Sequence, residues 1–301
     1  TLFLTLCTVV NHTMATRPEH TGPAEEFYDA STAEAYTHNS RVLNVQTAMT
    51  ERAVELLNFP PGESKLLLDL GCGSGICGSV LSESGHHWVG MDISPSMLQL
   101  AADGDAEGDL ALADMGQGFG FRTGVFDGAV SISALQWLCY VSKAADHSAK
   151  KRIGFFFSSL YKCLRRGARA VLQLYPEAPE QLELITSIAL RSGFSGGLVV
   201  DYPNSRKARK HYLCLFAGLD GVRVPEGKRG QAAAAGVGAP ALGISFEGRH
   251  TAKGRRKSGV EARAPYKSRN WVLDKKASQR RKGAKVRPDT KYTARKRKDK
   301  F

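Results

Sequence analysis

Three aspartates close short apolar runs and each opens onto a turn: "LLLDLGCGSGICG" (66–78), "WVGMDISPSML" (88–98) and "LALADMGQG" (110–118). Glycines at a strand-to-helix turn let the backbone approach a ligand, and the helix N-terminus that follows favours negative charge. The first run fits two ligand registers. Gly73, Gly75 and Gly78 spell the G-x-G-x-x-G of a dinucleotide loop, while Asp69, Gly71, Gly73 and Gly75 spell the D-x-G-x-G-x-G of an S-adenosylmethionine loop. A carboxylate at Asp92 suits two ribose hydroxyls in either register. Asp114 can accept from an adenine amino group while Met115 packs on the ring, an acid for which a dinucleotide fold has no standard need. Asp69, two residues before the first glycine, fits the methionine end of a sulfonium ligand. The acids therefore favour the methyl-donor register, with Asp69, Gly71, Cys72, Gly73, Gly75, Asp92, Ile93, Asp114, Met115 and Ser131 as the expected cofactor-binding residues.

The elements that must position these residues alternate. Expected strands are 66–70, 88–92, 110–113, 125–133, 170–174, 198–201 and 212–216, with helices near 40–58, 76–83, 95–102, 150–164 and 179–191. Such alternation predicts an α/β fold with a doubly wound, mostly parallel sheet covered on both faces. Only "YPNSRKARKH" separates the last two strands, which predicts an antiparallel hairpin.

Charge divides the chain. Residues 251–301 carry 20 Lys/Arg against 4 Asp/Glu, whereas residues 1–250 carry 22 against 25, so the net charge of +13 resides in the tail. Four segments follow from composition. They are an N-terminal extension (1–16), the globular domain (17–217), a flexible Ala/Gly-rich linker (218–262) and a basic tail (263–301) without an apolar core, expected to be disordered alone. Met14 is the expected natural start, with a targeting peptide as the alternative. No segment approaches the roughly 20 apolar residues of a membrane helix. Six scattered cysteines lack metal or disulfide spacing, so no metal site is expected and a reducing compartment fits.

Together, "DLGCGSG", "VGMDISPSML", "ADMGQG" and "FDGAVSISALQWL" resemble class I S-adenosylmethionine-dependent methyltransferases. The longer stretches "RPEHTGPAEEFYD", "RAVLQLYPE", "QLELIT", "GFSGGLVVDYPNS", "YLCLF", "KSRNWVLDKK" and "VRPDTKYTARKRK" resemble, more narrowly, the eukaryotic 18S rRNA (guanine-N7) methyltransferase family. The resemblance spans roughly 17–218 and 266–301. It implies a seven-stranded methyltransferase fold, S-adenosylmethionine as cofactor, one guanine of small-subunit rRNA as acceptor, and a role in 40S ribosome biogenesis and pre-rRNA processing. It also implies a heterodimer with a small zinc-binding activator subunit, docked on the edge strand near Leu110–Met115, contact with pre-ribosomal particles, and a nuclear location (nucleolus and nucleoplasm) that extends to the cytoplasm. A ribosome-assembly factor whose binding is the essential activity, and a small-molecule methyltransferase, are the alternative readings.

Guanine N7 carries an in-plane lone pair, so its methylation needs no general base, and proximity and orientation in a dry pocket carry the catalysis. The eight dispersed histidines fit that expectation. Gln136 and Trp137, after the fourth strand, are the candidates for holding the target base: Trp137 by stacking and Gln136 by bonding its edge, with a core role for Trp137 as the competing reading. Tyr28 and Tyr36, with Asn39 and Arg41 beside them, are lid candidates, and Tyr175 is a candidate for the opposite wall. In the tail, Arg255, Arg256, Lys257, Arg280, Arg281, Lys282, Arg295 and Arg297 are expected to meet phosphates and to serve nuclear import, and Trp271 to stack on unpaired bases.

Overall fold

The computed structural model describes residues 17–140, 148–205, 207–218, 223–229, 269–281 and 286–290, those in 269–281 not all with side chains. The first compact unit runs to Gly227. Its seven strands are β1 (Leu66–Leu70), β2 (His87–Asp92), β3 (Asp109–Leu112), β4 (Phe126–Ile132), β5 (Leu164–Leu174), β6 (Phe194–Asp201) and β7 (Lys210–Ala217). They form one sheet in the order β3-β2-β1-β4-β5-β7-β6. All neighbours are parallel except β7, which runs antiparallel to both β5 and β6, so the expected hairpin is present. Strand order reverses between β1 and β4, which opens a crevice at their carboxyl ends.

Alternation along β1 explains why the sheet is covered twice. Leu68 and Leu70 join a core layer with Phe156, Phe157 and Leu160 of α6 (Ala149–Cys163) and Ile185 of α7 (Pro179–Arg191). Leu67 points the other way, into a layer with Met49, Ala53 and Leu57 of α3 (Ser40–Leu57) and Leu81 of α4 (Ile76–Glu83). In that layer Trp88 is wrapped closely: a Cβ on Gly78 would stand 2.1 Å from its Cζ2. The third glycine of the alternative register is thus required by packing of α4 on β2.

Several expectations are corrected. Strand β5 begins six residues before the expected Ala170 and β6 four residues before Leu198, because pairing with β7 recruits residues whose own sequence carries glycine and arginine. Ahead of α3, expected to be the first helix, lie α1 (Ala24–Phe27) and α2 (Ala30–His38), too short or too weakly patterned to show in the sequence. Residues 223–227 belong with the globular unit rather than a linker: Val224 lies against Gly197, and Arg52 Nη2 donates to the Glu226 carbonyl at 3.2 Å.

The second unit, 228–301, contains α8 (Arg269–Arg281) where a tail without structure was expected. Lys, Arg, Leu, Ala and Gln are strong helix formers, and the chain after the helix ties back to it. Lys276 Nζ donates to Asp289 at 3.0 Å and Arg280 Nη2 lies 2.6 Å from the same carboxylate. Arg255, Arg256, Lys257, Lys282, Arg295 and Arg297, the side chains of Trp271 and Arg281, and most of the expected linker and the N-terminal extension lie outside the described residues.

Candidate active site

A cavity of about 470 Å³ occupies the crevice at the carboxyl ends of β1, β2 and β4. Its floor is the turn after β1. Gly71 takes φ +75°, and a Cβ there would stand 2.3 Å from Cβ of Ala134 in the loop after β4. The two loops therefore meet on bare backbone. Asp92, at the end of β2, accepts from Gly73 N–H at 2.8 Å and from Ser94 N–H at 2.9 Å, pinning the glycine turn to the second strand. Burial still raises its pKa above the usual carboxylate range, against those hydrogen bonds.

Asp69 lies beneath this floor, fully buried and not part of the wall. Neither oxygen has an N–H or O–H partner among the described residues. Burial pushes its carboxyl up to about 7, with the Cys77 thiol opposing the shift and the Asp92 charge adding to it.

At the far end, Asp114 is held by Arg152 of α6, Nη1 to Oδ2 at 3.0 Å and Nη2 to Oδ1 at 3.2 Å, while Gly116 N–H also donates to Oδ1 at 2.8 Å. Sequence reasoning missed Arg152. The pair spans 38 positions, and one arginine in an amphipathic helix carries no signal of it. Met115 lines the cavity beside this pair, and Ile93 lines it next to Asp92.

Helices α1 and α2 form a strap over the opening. Ser94 caps α5 (Pro95–Asp103) by accepting from Met97 N–H, and its hydroxyl donates to the Tyr28 carbonyl at 2.8 Å. Gln46 Nε2 donates to Tyr36 Oη at 2.8 Å. Farther back along the chain, Arg17 donates to the carbonyls of Tyr175 and Pro176, and His20 meets the Tyr140 hydroxyl at 2.8 Å. The strap brings Phe27, Tyr28 and Tyr36 over Trp137: Phe27 and Tyr28 each stand 5.7 Å from the indole, and Tyr28 stands 5.7 Å from Tyr36. Burial pushes the Tyr36 phenol up to about 12 and that of Tyr28 higher still, so both remain neutral donors.

The expected residues thus divide. Gly71, Gly73, Asp92, Ile93, Asp114, Met115, Tyr28, Tyr36 and Trp137 line one cavity. The others stand apart from its wall. Gln136 is buried with Oε1 unpartnered, Ser131 is buried with its hydroxyl on the Leu70 carbonyl, and Cys72 is packed under Gly90. Gly75 and Asn39 cap α4 and α3, Arg41 is an exposed helix residue, and Tyr175 joins Lys210 and Met49.

The residues present fit S-adenosylmethionine: a side-chain-free turn, a carboxylate fixed at the second strand, a second acid with an apolar neighbour at the third, and an orphaned buried carboxyl under the turn. A seven-stranded sheet of this order, with such a cavity at its switch point, defines a class I S-adenosylmethionine-dependent methyltransferase. Residues 68–172 match the family model described as "Methyltransferase domain", and residues 215–299 match that described as "Methyltransferase involved in Williams-Beuren syndrome". The 18S rRNA (guanine-N(7))-methyltransferase of Mus musculus is 55% identical over 95% of this chain and 98% of its own. The 18S rRNA (guanine-N(7))-methyltransferase RID2 of Arabidopsis thaliana is 47% identical over 96% of this chain and 100% of its own. The 18S rRNA (guanine(1575)-N(7))-methyltransferase of Saccharomyces cerevisiae is 42% identical over 95% and 99%. The chain belongs to the 18S rRNA (guanine-N7)-methyltransferase family. Among solved structures it is similar to a Haloferax volcanii methyltransferase in complex with the Trm112 methyltransferase activator, at 18% identity and TM-score 0.43, covering 62% of this chain and 98% of that one. That likeness is remote.

Proposed function

We infer that this protein methylates N7 of a guanine in 18S rRNA, using S-adenosylmethionine, during small-subunit assembly. Identity of 42 to 55% over nearly the whole chain to enzymes named for that reaction carries the reading. The cavity supports it, because an aromatic wall beside the glycine turn can hold a flat base. When bound, S-adenosylmethionine supplies a sulfonium methyl group open to attack by a lone pair.

The chain's own residues bind and orient. Asp92 fixes the turn and faces the ribose; Asp114, steadied by Arg152, and Met115 take the adenine; Asp69 supplies negative charge under the methionine end. Trp137 stacks the extruded guanine, and the strap of Phe27, Tyr28 and Tyr36 keeps water out. N7 already bears its lone pair, so no residue removes a proton before transfer.

The edge strand β3 is the proposed dock for a small zinc-binding activator subunit. Only β2 pairs with it, and Leu112 on it is 62% exposed, an apolar edge of the kind that strand addition covers. The basic tail is proposed to bind rRNA and to direct nuclear import. Methyl transfer to small-subunit precursors, with and without the activator, tests the function; N7-methylguanine at one mapped guanine is the expected product. Methylation of small molecules but not rRNA would overturn the reading.

A further inference from the structure

The proposed function requires that guanine be told from adenine, and the residue expected to read the base edge, Gln136, is buried away from the wall. Another residue must do it. Three acids line the cavity. Asp92 is engaged by the glycine turn and Asp114 by Arg152. The third, Glu25, stands on α1 of the strap, the one-turn helix whose Phe27 ring packs 5.7 Å from Trp137. It therefore belongs to the part of the wall where a stacked base would lie.

We propose that Glu25 is the guanine-specificity residue, its carboxylate accepting from N1–H and the 2-amino group of the target base. The inference rests on the rRNA guanine-N7 reading and deepens it. The chemistry of the acceptor selects this residue type. N7 must be left bare for the incoming methyl, so a donor such as arginine at the N7/O6 edge would tie up the attacking lone pair. The opposite edge of guanine offers two adjacent donors, N1–H and the 2-amino group, which match the two oxygens of a carboxylate. Adenine offers an acceptor at N1 and is repelled.

Electrostatics adds a rate effect. Methyl transfer makes the N7–CH3 bond and breaks S–CH3; the N7 lone pair becomes the new bond and the S–CH3 pair returns to sulfur. Positive charge thereby moves from sulfur into the purine, which makes N1–H a better donor. The Glu25 contact strengthens as the reaction proceeds, and an interaction that is stronger in the transition state than in the ground state raises kcat.

The test uses the full-length chain with its activator, on RNA carrying the mapped guanine or inosine, which lacks the 2-amino group. Wild-type protein is expected to prefer guanine over inosine by roughly tenfold or more, the value of one hydrogen bond to a charged acceptor. Glu25→Gln is expected to lower kcat/KM on guanine roughly 10- to 100-fold, with unchanged S-adenosylmethionine affinity by calorimetry. Glu25→Ala is expected to bring the guanine-to-inosine ratio near one. Wild-type rates on guanine, or a preserved preference over inosine, in Glu25→Ala would overturn the proposal while leaving the functional reading intact. Absence of N7-methylguanine with the wild-type protein would overturn that reading and this proposal with it.

Discussion

Burial raises the Asp69 carboxyl from an unfolded value of about 4 to about 7, and the direction fixes a consequence for stability. Between those values the folded chain holds a proton that the unfolded chain has lost. This group's stabilisation is therefore complete below about pH 4 and disappears as pH rises through about 7. Asp69→Asn should remove that slope. The ligand-free variant should exceed wild-type by a few kcal/mol at pH 8 and match it near pH 4, as read from denaturant midpoints. The same variant should bind S-adenosylmethionine more weakly, since a carboxylate kept at such cost is explained by a charged ligand. A parallel pH dependence in both chains would count against the burial argument. Asp92→Ala releases both the Gly73 and Ser94 N–H groups from the turn, and calorimetry should show cofactor affinity reduced roughly 10- to 100-fold.

Among the elements, the strap depends on a few hydrogen bonds at its base. Ser94 does two things there, capping α5 and donating to the Tyr28 carbonyl. Ser94→Ala should cost about 1–3 kcal/mol in unfolding free energy and raise the cofactor Kd, because the lid residues lose their tether to β2. Unchanged affinity would mean that the strap closes without that bond. At the sheet edge, Leu112→Lys should leave the fold intact and reduce the yield of the zinc-binding subunit recovered with the chain, since a lysine on an edge strand blocks strand addition. The strap itself was illegible in the sequence. Tyr28 and Tyr36 could be read as lid candidates, but α1 has four residues and α2 a weak pattern, and both are held by bonds to residues 94, 46 and 140.

For the whole molecule, the division of charge is the dominant feature: the globular part is near neutral, and residues 251–301 carry a net +16. If the tail releases counterions from rRNA, truncation after His250 should weaken binding to small-subunit precursors and flatten its salt dependence, with log K falling less steeply against log salt. A truncated chain with the wild-type salt slope would show that the tail does not touch phosphates. The helix α8 refines the picture of that tail. Basic residues there are strong helix formers, and Asp289 closes the segment onto Lys276 and Arg280, so part of the arm presents its charges from a formed helix.

The sequence by itself determined the sheet, its antiparallel hairpin, the cofactor turn and the acids at 69, 92 and 114, because periodicity and glycine placement are local properties of the chain. It also determined where the excess positive charge lies, which is a matter of counting. Only the tertiary structure decided which of those residues share a wall. It put Trp137, Tyr28 and Tyr36 over one cavity, left Gln136, Tyr175 and Asn39 outside it, and set Arg152 on Asp114 and Glu25 in the base-facing strap. Those contacts join residues tens of positions apart, and their geometry comes from the crossing of strands and the folding back of a short segment, which no local pattern encodes.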